Sequence, residues 1–189
     1  PKKKGKTYRL TIEKDLEVFM EAKEYSEKKR QELFDEWGFD PVPVYKELPT
    51  TPYSEPSLSE KYPLIFTSWK AEQFRHTSGR QIPSLRRIQP GPEVWIHPDT
   101  ASKYDIREGD RVITETPNGQ ISQTARLTTQ IHPNVVGVDY GWWFPEKGPQ
   151  GRYGWDLSNI NILTSDRDLP GKELGTPNLR GLACSIRKV

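Results

Sequence analysis

The residues of this chain best suited to chemistry are amides, hydroxyls and a few cations. Asn159 and Asn161 stand two apart in the run Asn159-Ile160-Asn161-Ile162-Leu163-Thr164, which follows the cluster Gly141-Trp142-Trp143. A carboxamide carries donor and acceptor together, so it can match the alternating edge of a polar heterocycle. Asn178-Leu179-Arg180-Gly181 adds a further amide and a cation downstream. Upstream, His76, Thr77, Ser78 and Arg80 form a short polar cluster with positive charge available. Thr67, Ser68 and Trp69 follow the apolar run Leu64-Ile65-Phe66, and hydroxyls at a strand end are good donors to phosphate oxygens. Together these residues read as the lining of a nucleotide-like or pterin-like site. Taken singly, each has a plainer reading: a loop cap for Asn159, a surface histidine for His76, a strand-to-loop transition for 67–69.

Other eye-catching residues read as structural. Asp99 sits where the first turn of a helix favours an acid, and Asp110 where a turn carboxylate bonds local amides. Trp142 and Trp143 read as core or interface aromatics. Lys70 and Arg75 read as solvated cations. Cys184, the one cysteine, falls in the apolar run Leu182 to Ile186 and reads as a buried, inert thiol. A single cysteine excludes an internal disulfide, a structural zinc site of the thiolate kind, and an iron–sulfur cluster held by these residues alone. With 28 basic and 26 acidic side chains, the chain has no global charge case for nucleic acid. No apolar run approaches the ~20 residues that span a bilayer, so direct membrane insertion is not expected. The first residue is Pro1, and the expectation is a piece of a longer polypeptide.

The elements that must position these groups fall into three parts. Residues 1–40 hold a basic head, with Lys2, Lys3, Lys4 and Lys6, expected to be solvated and mobile. A Pro- and Gly-free stretch from Glu13 to Trp37 then predicts a helix docked at its ends through Leu16, Phe19, Met20, Leu33, Phe34 and Trp37, with Gly38 as its cap. Residues 41–61 form a Pro-rich linker, expected to run extended without regular elements. Residues 62–189 predict short strands at 64–66, 94–96, 111–116, 121–128, 135–140 and 182–186. A short helix over Pro98 to Ile106 and a hairpin turn at Asn118-Gly119 complete the pattern. That mixture favours a compact β-barrel with small helices.

The order of motifs is similar to one known family. Tyr62 to Trp69, His76-Thr77-Ser78 with Arg80, Ile96 to Ala101, Ile106 to Val112, Asn118-Gly119, Asn159 to Thr164 and Asn178 to Ile186 resemble the C-terminal molybdopterin-guanine-dinucleotide-binding domain of the dimethyl-sulfoxide-reductase superfamily. Gly38 to Tyr45 resembles the linker before that domain, so the resemblance covers about residues 38–189. It departs at His97, where the family usually has Asn, and at Arg180, where it usually has Lys.

The resemblance implies a mainly β fold with short helices, a double-psi β-barrel preceded by a helical segment and the Pro-rich linker. It implies a clamp for bis-molybdopterin guanine dinucleotide carrying molybdenum or tungsten, whose pyrophosphates suit a bidentate Arg80. Cofactor contacts are then expected from Thr67, Ser68, Trp69, His76, Thr77, Ser78, Arg80, Asn159, Asn161, Asn178 and Arg180, with no catalytic residue and no metal ligand of its own. The metal ligand and any iron–sulfur cluster belong to upstream domains of the same polypeptide, the expected partner, with an electron-transfer subunit a further candidate. Double-psi barrels also serve as non-enzymatic adaptor modules, which is the second function class, because fold does not fix function.

Overall fold

The computed structural model of the chain describes residues 2–3, 6–7, 23–32, 36, 45, 47, 51–165 and 178–189. Two compact units divide it, Pro1–Tyr45 and Lys46–Val189. In the first, β1 (Lys2–Lys3) pairs antiparallel with β2 (Lys6–Thr7), where the sequence predicts a mobile head. Nothing in the described residues explains that pairing, which at this length is marginal in water. Helix α1 is described over residues 23–32 and at 36, inside the span predicted helical, and its side chains there are exposed. Ion pairs at helical spacing, Lys29–Glu32 (2.7 Å) and Lys23–Glu27 (3.9 Å), line it. The apolar residues expected to dock it, and Gly38, lie outside the described residues.

Over residues 51–61, the described end of the expected linker, the chain turns rather than running extended. Thr51 is buried; its Oγ1 accepts from the Tyr53 and Ser54 amides (3.3 and 3.2 Å) and closes the chain on itself. A single helical turn, α2 (Leu58–Lys61), follows. Proline rules out long helices and ladder donors, yet leaves room for such local turns.

Six strands then close into a barrel: β3 (Leu64–Trp69), β4 (Glu93–Ile96), β5 (Arg111–Thr116), β6 (Gly119–Leu127), β7 (Val135–Asp139) and β8 (Leu182–Lys188). Their order around the barrel is β3-β7-β4-β6-β5-β8. β3–β7 and β4–β6 are parallel, while the other four pairings are antiparallel. Closure leaves no free edge. The core follows from alternation. Leu64 and Phe66, Val94 and Ile96, Ile121 and Ala125, and Cys184 and Ile186 all point inward, and Val112, Val136, Val138 and Leu163 are fully buried beside them. Burying a side chain such as Phe66 stabilises the barrel by about 1.5–3 kcal/mol.

Small helices α3 (Pro83–Ile88), α4 (Pro98–Lys103) and α5 (Trp155–Ser158) fill the crossings. α4 starts where expected. His97 Nδ1 accepts from the Asp99 amide (3.2 Å), so His97 caps the helix, and Asp99 lies in the first turn. The helix stops earlier than predicted, because Asp105 turns left-handed (φ 50°). Asp110 accepts from the Arg107 amide (2.8 Å), as its turn role requires, and also pairs with Lys188 Nζ (2.8 Å). Cys184 is fully buried, and burial pushes its thiol pKa up.

Candidate cofactor-binding mouth

Register brings the polar candidates to one mouth of the barrel. β3 and β7 run parallel, so Trp69 and Asp139 end side by side, and the Tyr140 amide donates to the Trp69 carbonyl (3.0 Å). β8 enters antiparallel beside β3, with Gly181 N–H on the Phe66 carbonyl (2.8 Å). Residues 178–181 therefore lie over the last residues of β3. Arg180 Nε donates to Ser68 Oγ (3.3 Å), and the Arg180 amide donates to Asn178 Oδ1 (3.3 Å). Asn178 Nδ2 is buried without a partner among the described residues. Such an orphaned donor is expected where a ligand acceptor belongs.

Thr67, Ser68 and Trp69 are strand residues, not the loop after a strand. Period-two alternation puts Ser68 on the inner side with Phe66, and Thr67 and Trp69 on the outer side. Trp69 stacks on Trp95 (centroids 4.4 Å, 27° apart) and donates Nε1 to the Glu93 carbonyl (3.3 Å). Gly137 packs closely beside this pair: a Cβ there would stand 3.1 Å from Ile131, 3.3 Å from Trp95 and 3.4 Å from Trp69. Of the three, Ser68 reaches the mouth.

The 76–80 segment is held against residues 139–143. Trp143 Nε1 donates to the Thr77 carbonyl (2.6 Å). Gly141 is left-handed (φ 63°), with Thr77 Cγ2 only 2.6 Å from where a Cβ would stand. His76, itself at φ 52°, faces the Tyr140 ring at 6.5 Å, with Lys70 Nζ 5.1 Å from the same ring. His76, Thr77 and Ser78 are exposed.

Arg80, expected to meet a pyrophosphate, lies inside the unit. It is 1% exposed, its guanidinium lying 4.0 Å from the Phe74 ring and 4.7 Å from Trp142. Nη1 donates to the Ser78 carbonyl and Nη2 to the Tyr140 carbonyl, both at 3.1 Å. Both Nη groups are thus spent on interior carbonyls, while Nε is buried without a partner among the described residues. Asp139 is buried nearby without a direct ion pair to Arg80 among the described residues, and its Oδ2 accepts from Gln89 Nε2 (2.6 Å). Burial raises the Asp139 pKa to about 7, against the opposing pull of Arg80 and the Gln89 bond. Trp142 is the fully buried core aromatic, and Trp143 is the partly exposed one.

The asparagine run is a 3-10 turn (Ile160–Ile162), not an open loop. Asn159 Oδ1 caps it by accepting from the Asn161 amide (3.0 Å). Ile160 and Leu163 are buried anchors, which leaves the Asn161 carboxamide exposed with no partner among the described residues. Thr116 Oγ1 and Asn118 Nδ2 donate to the Leu163 carbonyl (2.8 and 3.2 Å). The hairpin turn is Pro117-Asn118, with Gly119 already in β6 and paired with Thr116. Gly119 serves packing: a Cβ there would lie 2.8 Å from both Ile162 Cγ2 and the Ile162 carbonyl.

The mouth therefore presents the Ser68–Arg180 pair, Asn178, Asn161, His76, Thr77, Ser78 and Lys70. This set of amides, hydroxyls and cations fits an anionic, heterocyclic dinucleotide. Tyr140, Gln89 and Asp139 were missed as site-builders, as was Gln123, whose polar amide sits in phase with inward-facing Ile121 and Ala125. That phase was the signal available. Among the described residues no group of three His, Cys, Asp or Glu side chains is placed to hold a metal ion.

Residues 64–176 match the family model of the molydopterin dinucleotide binding domain. The chain belongs to this family. The dopamine dehydroxylase of Eggerthella lenta is 35% identical over 148 residues, covering 78% of this chain and 14% of that protein. Acetylene hydratase of Syntrophotalea acetylenica is 32% identical over 154 residues, 79% of this chain and 21% of that protein. Among solved structures, the acetylene hydratase from Pelobacter acetylenicus superposes with a TM-score of 0.76 at 29% identity. That match covers 83% of this chain and 22% of the other. The molydopterin dinucleotide binding domain here is thus a double-psi-type barrel, as expected, and spans about a seventh to a fifth of these relatives' length.

Proposed function

We propose that this chain clamps a bis-molybdopterin guanine dinucleotide within a longer molybdenum or tungsten enzyme. Asn161 would read the pterin edge with its exposed carboxamide. Arg180 and Ser68 would hold phosphate oxygens, with His76, Lys70 and the hydroxyls of Thr77 and Ser78 across the mouth. Asn178 Nδ2 would lose its orphan state by donating to the ligand. When bound, the cofactor's metal supplies the electron or oxygen-atom transfer, while these residues orient the organic part and keep water from it. The remainder of the same polypeptide is the proposed partner, supplying the metal ligand and any iron–sulfur cluster, with an electron-transfer subunit beyond it. The named relatives differ in reaction, a dehydroxylase and a hydratase among them, which supports assigning substrate choice to parts outside this barrel.

The observation that carries the reading is the exposed Asn161 carboxamide at the same mouth as the Ser68–Arg180 pair, in a chain of this family. The test is the pterin and metal content of the purified parent enzyme. Asn161→Ala and Arg180→Ala should each lower both per polypeptide without unfolding the protein. Wild-type content in both variants would sink the reading.

A further inference from the structure

Asp139, the last residue of β7, is gripped at both backbone groups by one side chain. Gln123 accepts from the Asp139 amide through Oε1 (3.1 Å) and donates through Nε2 to the Asp139 carbonyl (3.3 Å). The same Nε2 donates to the Ser158 carbonyl (3.0 Å). Ser158 ends α5 and immediately precedes Asn159, while Asp139 immediately precedes Tyr140. Gln123 is 1% exposed, so no water competes for these bonds. The relay extends outward, because Gln89 Nε2 reaches Asp139 Oδ2 and Gln73 Nε2 reaches Gln89 Oε1 (2.5 Å). A chain of amides thus crosses beneath the mouth from the segment after β3 to the asparagine turn.

A carboxamide suits this place because one planar group both accepts and donates. A carboxylate cannot donate to the two carbonyls, and a thioether leaves all three backbone groups without their partner. A ligand held at several points responds to the spacing of those points, so a residue that sets spacing affects binding without touching the ligand.

We propose that Gln123 is a positioning residue for the cofactor: it sets the distance between the His76–Tyr140 edge of the mouth and the Asn159–Asn161 turn. The inference rests on the reading of this mouth as the dinucleotide site. Gln123 acts through Ser158 and Asp139, and its effect on the cofactor passes through Asn161.

A double-mutant cycle on the full-length parent enzyme tests it. Gln123→Met, Asn161→Ala and the double variant are purified, and the half-life of bound molybdopterin is read from its fluorescent oxidation product, alongside thermal unfolding. Each single variant should shorten the half-life about tenfold, the scale of outer-shell partners at cofactor sites. The double variant should lose little more than Asn161→Ala alone, because the two act on one contact. A purely structural Gln123 gives independent losses, about a hundredfold in the double variant, and that result overturns the proposal, as does a wild-type half-life in Gln123→Met. Gln123→Glu, which keeps the shape and loses the donations, replaces Gln123→Met if the latter does not accumulate folded. Unchanged retention in Asn161→Ala overturns the reading of the mouth itself; additive losses overturn Gln123 alone.

Discussion

Arg80 and Arg180 carry the same guanidinium into opposite situations. Arg80 is enclosed by Phe74 and Trp142 and bonded to two carbonyls, whereas Arg180 is exposed with one bond to Ser68. Arg80→Met leaves the Ser78 and Tyr140 carbonyls without their donor and should cost roughly 1–3 kcal/mol in denaturant unfolding. Arg180→Met should change stability by no more than about 0.5 kcal/mol, the usual range for surface positions, and appear as weaker cofactor retention. Asp139 adds a pH signature. Its pKa is raised from 3.8 to about 7, chiefly by burial. Between those values the folded chain keeps a proton that the unfolded chain has released, so this residue's contribution makes stability fall as pH rises from about 4 to about 7. Asp139→Asn should gain on the wild type in thermal midpoint as pH rises through that window. A midpoint difference flat with pH would contradict the assignment.

At the scale of elements, the asparagine turn is held by the β5–β6 hairpin. Thr116 and Asn118 bond the Leu163 carbonyl, and Gly119 leaves room for Ile162. Gly119→Ala forces a methyl against a backbone carbonyl and should cost about 1–3 kcal/mol, measured by unfolding of the chain. Its larger effect should be on retention, since the displaced atoms belong to the turn that presents Asn161. These elements also show what the sequence could reveal. The apolar runs Leu64-Ile65-Phe66 and Val94 to Ile96, and the turn at Arg107 to Asp110 leading into Arg111 to Thr116, announced the strands, because short apolar runs bounded by turn residues suit buried strands. Asp99 and Asp110 announced their turns because those roles are local. The burial of Arg80 was not legible, because it depends on Phe74, Trp142 and the Tyr140 carbonyl closing around it, which is tertiary. Gly119 was read as turn chemistry when its reason is Ile162, more than forty residues away. Asn159 and Asn161 look alike in sequence, and only the 3-10 turn separates the cap from the presented amide.

For the whole molecule, closure of six strands makes the mouth a rigid frame. Phe66→Ala, at the centre of β3, should destabilise it by about 3–5 kcal/mol in equilibrium unfolding. A frame of this kind, matched to a fraction of relatives whose names span different reactions, is consistent with holding one cofactor while other parts choose the substrate. The most direct measurement is the structure of the parent enzyme with its cofactor bound. The Asn161 carboxamide and the Arg180 guanidinium should lie within hydrogen-bond reach of the dinucleotide, with Arg80 still turned inward on Ser78 and Tyr140. A cofactor lying away from this mouth, with Asn161 and Arg180 both facing solvent or protein, would contradict this arrangement.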